Sequence, residues 1–334
     1  MSADNFAPEC VGAPGHNDAT GMDEFVPAGG GDRGIDMSGT NEDPLVAVVE
    51  SVARHRGYTC RLIARNAMRL SGPTTFVWFL DNLRRQVAPL DAEEWPVLVA
   101  DVLDTEEVEQ ALDRDSPLDY TDFGVMRHLI RTRLYSTAGG LGNEVRRVVA
   151  PGLIQRVVID RVHTVRPVTY DMLAHWAIGE WELFALADRN VYADGGVDIH
   201  RTRFDVDLAE GLAPIALLTG PEYLTAHARW LGAYPVTGPH GAVLILPAKE
   251  SMYAYPVAGL EVIRSVTVLA HLAASHAAQD PWPINPWVYW WHNGTLDLAA
   301  TTRPSDDGIA IRPTSRFTDY LGALARREPS DGDG

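Results

Sequence analysis

Lysine is almost missing from this chain: Lys249 stands alone among 28 basic residues, and the other 27 are arginine. That bias reads mainly as the coding habit of a GC-rich gene, although arginines that converge can grip an anion bidentately. Cysteine is nearly as scarce. Cys10 and Cys60 cannot build a disulfide framework and have no metal-ligand spacing, which points to a reducing cytoplasm. Long apolar runs are missing too: no segment approaches the ~20 residues needed to span a bilayer, so no membrane is expected. The acidic beginning lacks both the basic and the apolar part of a signal peptide. Positive charge is in deficit, and a net charge of -17 argues against nucleic acid, whose backbone needs a concentrated basic surface. The phosphate-loop and dinucleotide patterns, GxSxG, HExxH and the kinase signatures are all absent, so the motif-bearing enzyme classes are not expected. No metal or cofactor is expected either. His271 and His276, five apart on a helix, would point ~140° away from one another.

What is present is apolar material, 46% of 334 residues, enough to fill one large or two modest cores. Residues 1–43 hold nine acids against Arg33 alone, in a Gly-, Asp- and Pro-rich context, and read as a disordered acidic tail, with 328–334 a second one. The body still carries 36 acids against 27 bases.

Order is expected from Asp43-Pro44, an N-cap followed by an N1 proline, with Leu45, Val48, Val49 and Val52 at helical spacing and Gly57 as the stop. Residues 58–70 read as a strand, FVWFLDNLRRQV as a helix opened by Thr74 or Thr75, and Asp91 with Glu94 as a capping box before WPVLVADVLDTEEVEQAL. GVMRHLIRTRLYS fits helix or strand, and TAGGLGNE is a connecting loop. Beyond Pro151-Gly152 come a strand LIQRVVIDRV, a helical TYDMLAHWAIGEWELFALADRNV broken near Gly179, strands DIHRTRFDVDL and PIALLTG, and a helix PEYLTAHARWL. A hairpin then turns around Ala248-Lys249-Glu250, and LEVIRSVTVLAHLAASHAA is a buried helix.

NPWVYWWHNGTLDLAA, 285–300, is the densest aromatic stretch. With Asn293-Gly294 as a type I′ turn, His292 pairs with Thr295, Trp291 with Leu296, Tyr289 with Leu298 and Trp287 with Ala300. Trp287, Tyr289 and Trp291 then share one wholly apolar face and belong to a core. Trp290, opposite Asp297 on a mixed face, and Trp282 escape that argument. Each is a candidate for a pocket rim or an interface, or for cover by a helix.

For chemistry, the sharper possibility is an anion site. Arg146-Arg147, Arg161, Arg166, Arg189 and Arg201/Arg203 lie where strands and helices alternate, and Arg161, His163, Arg189 and His200 are the candidates for one shared pocket. The bland reading is a solvated arginine surface.

From about Val158 to Ala300 the chain resembles the YtpQ-like family of uncharacterised bacterial proteins. The resemblance is carried by VVIDRVHTVRPVTYDMLAHWAIGEWELFALADRNV, by EYLTAHARWLG before GAVLILPAKESMYAYPV, and by the 260–278 helix with WVYWWHNGTL. Ala187, Asn190 and Val191 match the family's Ala-x-x-Asn-hydrophobic helix end, and Ile245-Leu246-Pro247 approximates its valine-proline strand. The resemblance implies no catalytic set.

The expectation is an α+β protein: a helix-rich lobe over 44–150, then an α+β lobe over 151–327 with a mostly antiparallel sheet and packed helices. Its expected role is a cytoplasmic, non-catalytic module that binds a protein partner. The acidic arm either aids solubility or engages a basic partner. The alternative is an enzyme acting on a small anionic substrate through an arginine-lined pocket.

Overall fold

Asp43 caps the first helix through its side chain, which accepts from Leu45 N at 3.1 Å, and so belongs to the body and not to the tail. The structure is a computed structural model describing residues 43–115, 117–138, 142–161, 165–204, 209–280, 283–306 and 308–326. Of the tails expected over 1–43 and 328–334, all but Asp43 lie outside the described residues, as do the candidates His163 and Trp282.

Helix α1, Pro44–His55, buries Leu45, Val49 and Ala53 and stops at Gly57, whose φ of 84° only glycine adopts freely. Two strands then replace the single one expected over 58–70. They are β1, Thr59–Ala64, and β2, Ala67–Ser71. The expected helix over FVWF is also a strand, β3, Thr75–Phe79, and helix α2 begins only at Leu80, running to Val87. The reason is periodicity: Phe76 and Trp78 alternate inward opposite Leu70 and Met68, a period of two that a helix cannot satisfy. Helix α3, Trp95–Asp115, follows the expected box, with Asp91 N donating to Glu94 Oε2 at 3.2 Å. The antiparallel sheet β1-β2-β3 packs its even-numbered side chains against all three helices.

The ambiguous segment is both things in turn: helix α4, Phe123–Leu129, and strand β4, Ile130–Ser136. With β5 (Arg146–Ala150), β6 (Leu153–Asp160) and the short β7 (Val165–Pro167) it forms a second sheet, ordered β4-β6-β5, with β7 also on β6. Pro151-Gly152 is therefore a hairpin turn. A lobe boundary drawn there would cut one sheet, and the described residues from Asp43 to Arg326 form one compact unit. Helices α5, Tyr170–His175, and α6, Glu180–Asp194, divide at Gly179 as expected.

The largest sheet has seven strands: β8 (Asp198–Thr202), β9 (Ile215–Thr219), β10 (Ala242–Ala248), β11 (Ser251–Pro256), β12 (Val288–His292), β13 (Thr295–Ser305) and β14 (Gly308–Pro313). Their order is β14-β13-β12-β10-β11-β9-β8. Every ladder among the described residues is antiparallel, so the fold is α+β. Helices α7, Val262–Gln279, and α8, Ser315–Ala325, cover one face. The other face meets the second sheet and a 3-10 segment, Leu224–Ala233, where a helix is expected. Trp230, at φ −120° and ψ 39°, interrupts that segment. Among the described residues no helix is long and apolar enough to cross a membrane.

Asn293 and Gly294 both have positive φ, 49° and 77°, as a type I′ turn requires. The expected register holds from His292–Thr295 to Tyr289–Leu298, and then slips: Val288, not Trp287, faces Ala300. Tyr289 is fully buried, with Trp287 and Trp291 packed beside it. A Cβ on Gly152 would lie 1.9 Å from the Trp287 ring, and one on Gly232 2.5 Å from the Trp291 ring. Both indoles thus rest directly on bare backbone.

Candidate functional site

The residues singled out for an anion pocket are dispersed by the fold. Arg189 is exposed on α6, His200 is exposed on β8, and Arg161 is half-buried just beyond β6. None of the three lines any cavity described below. The physical cause is that β8 is the edge of the seven-stranded sheet, whereas α6 packs on the four-stranded one. Nearby arginines are engaged elsewhere. Arg166 lies over the Tyr120 ring at 4.4 Å, Arg201 donates to Pro235 O at 2.7 Å, and Arg146 donates to Gly142 O at 2.6 Å. Arg203 borders a cavity with Phe204, Glu210 and Leu212.

Arg147 joins a polar knot centred on Asp188 of α6. Oδ1 accepts from Thr132 Oγ1 at 2.7 Å and from Gln155 Nε2 at 2.6 Å, while Oδ2 accepts from Arg147 at 3.1 Å and from Arg229. Both carboxylate oxygens are therefore satisfied, which marks a clamp and not a poised base. Burial, with Arg229 alongside, pulls the Arg147 guanidinium below its usual value.

Trp290 is 9% exposed. Its face is covered by α8, with Tyr320 at 4.2 Å between ring centroids and Phe317 at 5.8 Å. The covering-helix reading accounts for this residue, although it also borders a cavity of about 160 Å³ with His292, Asp297 and Arg316. Arg316 sits 2.5 Å from Asp297 Oδ2 there, as an ion pair.

His227 is a buried residue of the 3-10 segment, its Nδ1 shared by the Tyr234 hydroxyl and, at 3.2 Å, by the Trp230 indole N–H. Because the indole can only donate, Nδ1 must accept and the ring proton sits on Nε2. Burial lowers the His227 pKa to about 4, against a smaller opposing pull from Asp194.

The surface that stands out is one the sequence reading passed over. The odd-numbered face of β1-β2-β3 carries no covering element among the described residues. Thr59, Arg61, Ile63, Arg69, Thr75, Val77 and Phe79 are all exposed there, with Phe79 at 65% and Ile63 at 46%. Arg61 and Arg69 are direct cross-strand neighbours, and Arg69 in turn faces Val77. Neither arginine has an ion pair among the described residues. Like charges placed opposite one another across a ladder are unfavourable. Not one Asp or Glu occurs between Thr59 and Phe79, in a chain with 45 acids. That carboxylate gap, set against three arginines, was the signal available in the sequence. Reading 58–70 as one strand hid the pairing of Arg61 with Arg69.

No family model, curated protein or solved structure matches the chain.

Proposed function

We propose that this protein is a non-catalytic, cytoplasmic binding module whose docking surface is the open face of β1-β2-β3, and that its partner is an acidic polypeptide segment with apolar side chains. The observation that carries the reading is the Arg61–Arg69 couple, without an ion pair among the described residues, beside exposed Phe79, Ile63 and Val77. Two uncompensated guanidiniums favour carboxylates, and the flanking apolar groups favour a chain that can bury them. The overall charge of -17 opposes any polyanion at long range, so recognition of an acidic segment rests on short-range contacts with the arginine couple and the apolar groups beside it. The YtpQ-like resemblance over 158–300 belongs to the same proposal, as a scaffold without a catalytic set.

The test is selection of a displayed random peptide library on the full chain, with the Arg61→Glu, Arg69→Glu double variant as counter-target. Peptides enriched in Asp, Glu and apolar residues, binding the double variant about tenfold or more weakly (~1.4 kcal/mol), are expected. Peptides without acidic enrichment, or insensitive to the charge reversal, would overturn the reading. So would an oligothymidylate that binds with the same arginine dependence.

A further inference from the structure

A second feature lies away from that face, where β4 and β6 run side by side. Arg133 and Arg156 stand directly opposite each other in the ladder, with side chains only 12% and 14% exposed. The Tyr135 ring lies under both guanidiniums, at 5.1 Å and 4.7 Å. Each arginine has one carboxylate nearby, Glu222 at 3.6 Å from Arg133 and Glu144 at 3.7 Å from Arg156, separations too long for a hydrogen bond. Both carboxylates are divided: Glu222 also holds Lys249, and Glu144 also faces Arg146 at 3.7 Å. The Nε of each arginine is buried and has no hydrogen-bond partner among the described residues. Two adjacent guanidiniums held only at ion-pair distance by divided carboxylates favour a further anion beside them.

The fold supplies space for one. Arg133 and Tyr135 line a cavity of about 300 Å³ that Asp81, Asn82 and Arg85 of α2 also line. Arg85 is exposed and has no ion pair among the described residues. Asp81 is already occupied, accepting from Asn66 Nδ2 at 2.8 Å and lying 3.7 Å from Arg84. Pro283 provides half-buried apolar surface, while Leu134 and Ile284, which also border the cavity, are buried in the core. The volume sits at the small end of ligand pockets, which suits one small molecule and not a polymer.

We infer that this cleft binds a small organic oxyanion, a carboxylate or a phosphate ester, through Arg133 and Arg85, with its carbon body against Pro283. The inference does not depend on the open face of β1-β2-β3, since neither Arg61 nor Arg69 borders the cleft.

Isothermal titration of the full chain with inorganic phosphate, glycerol 3-phosphate and succinate, against potassium chloride at matched ionic strength, tests it. Saturable binding of at least one oxyanion is expected, weakened about tenfold or more in Arg85→Gln and lost in Arg133→Gln. Preference for phosphate or for succinate separates the two anion sources. Should Arg133→Gln not fold, the exposed Arg85→Gln decides alone. Heats that match potassium chloride, or equal affinity in wild type and Arg85→Gln, would overturn the inference. The Arg61→Glu, Arg69→Glu variant is expected to bind the oxyanion as wild type does, which keeps failure here distinct from failure of the docking surface.

Discussion

Gly152 shows how little freedom a single residue can leave. It holds a φ of 75°, and a methyl group there would fall 1.9 Å from the Trp287 ring. Gly152→Ala must either push the indole out or distort the β5–β6 turn. The expected cost is about 1–3 kcal/mol, read as a lower midpoint in urea unfolding, and Trp287→Leu in the same chain should recover part of it. His227 gives a pH-dependent counterpart. Its folded pKa is depressed to about 4 from an ordinary 6.5, so below pH 6.5 the unfolded chain takes up a proton that the folded chain refuses. Its contribution is complete above 6.5 and is lost as pH falls towards 4, by up to ~1.4 kcal/mol per pH unit. Unfolding free energies at pH 7 and pH 5 should therefore differ less in His227→Gln than in wild type. An identical difference in both chains would exclude the histidine as the cause.

Among the elements, β1 and β2 make the most discriminating prediction, because docking and stability move in opposite directions. Arg61→Glu places a carboxylate opposite Arg69, converting a repulsive cross-strand pair into an attractive one. Thermal unfolding should show a gain of about 0.2–1 kcal/mol, while affinity for acidic peptides falls. A structural role for Arg61 would lower both together. The same elements mark what could and could not be read beforehand. Where a local signal acts alone, as with Asp43-Pro44 or Asn293-Gly294, the element was legible in the residues themselves. Where two periodicities meet, it was not: in TTFVWFLDNL the strand hands over to α2 at Leu80 with no glycine or proline between. The 3-10 segment of 224–233 has the apolar spacing of a helix, and the kink at Trp230 falls at no glycine or proline that would mark it in the residues.

Across the whole molecule, the Asp188 knot joins parts that are remote in sequence. Thr132, Arg147 and Gln155 come from three adjacent strands, and Arg229 comes from the 3-10 segment. The Arg229 carbonyl in turn accepts the Trp291 indole N–H at 3.2 Å, so one carboxylate links the four-stranded and seven-stranded sheets. Asp188→Ala strands two partly buried guanidiniums, and a loss of about 2–3 kcal/mol is expected by urea denaturation; the value sits below that of a fully buried pair because these side chains keep some solvent contact. Convergence of this kind could not be read from spacing. Arg147 was noted as a candidate for an anion site, but its partner is a residue 41 positions away, brought near only when α6 settles on the sheet. For the same reason the β4–β6 arginine pair was invisible in a list of arginines.

The slip between β12 and β13 leaves Ala299 as an added beat in an otherwise two-step rhythm. Upstream of it β13 keeps time with β12, and from Ala300 onward it keeps time with β14. Excising Ala299 would leave Leu298 opposite Tyr289 and Ala300 opposite Val288, and so turn a syncopated ladder into an even one. Thr302, whose hydroxyl reaches the Pro286 carbonyl at 2.7 Å, would keep its side of the sheet, so the shortened strand is expected to hold that bond.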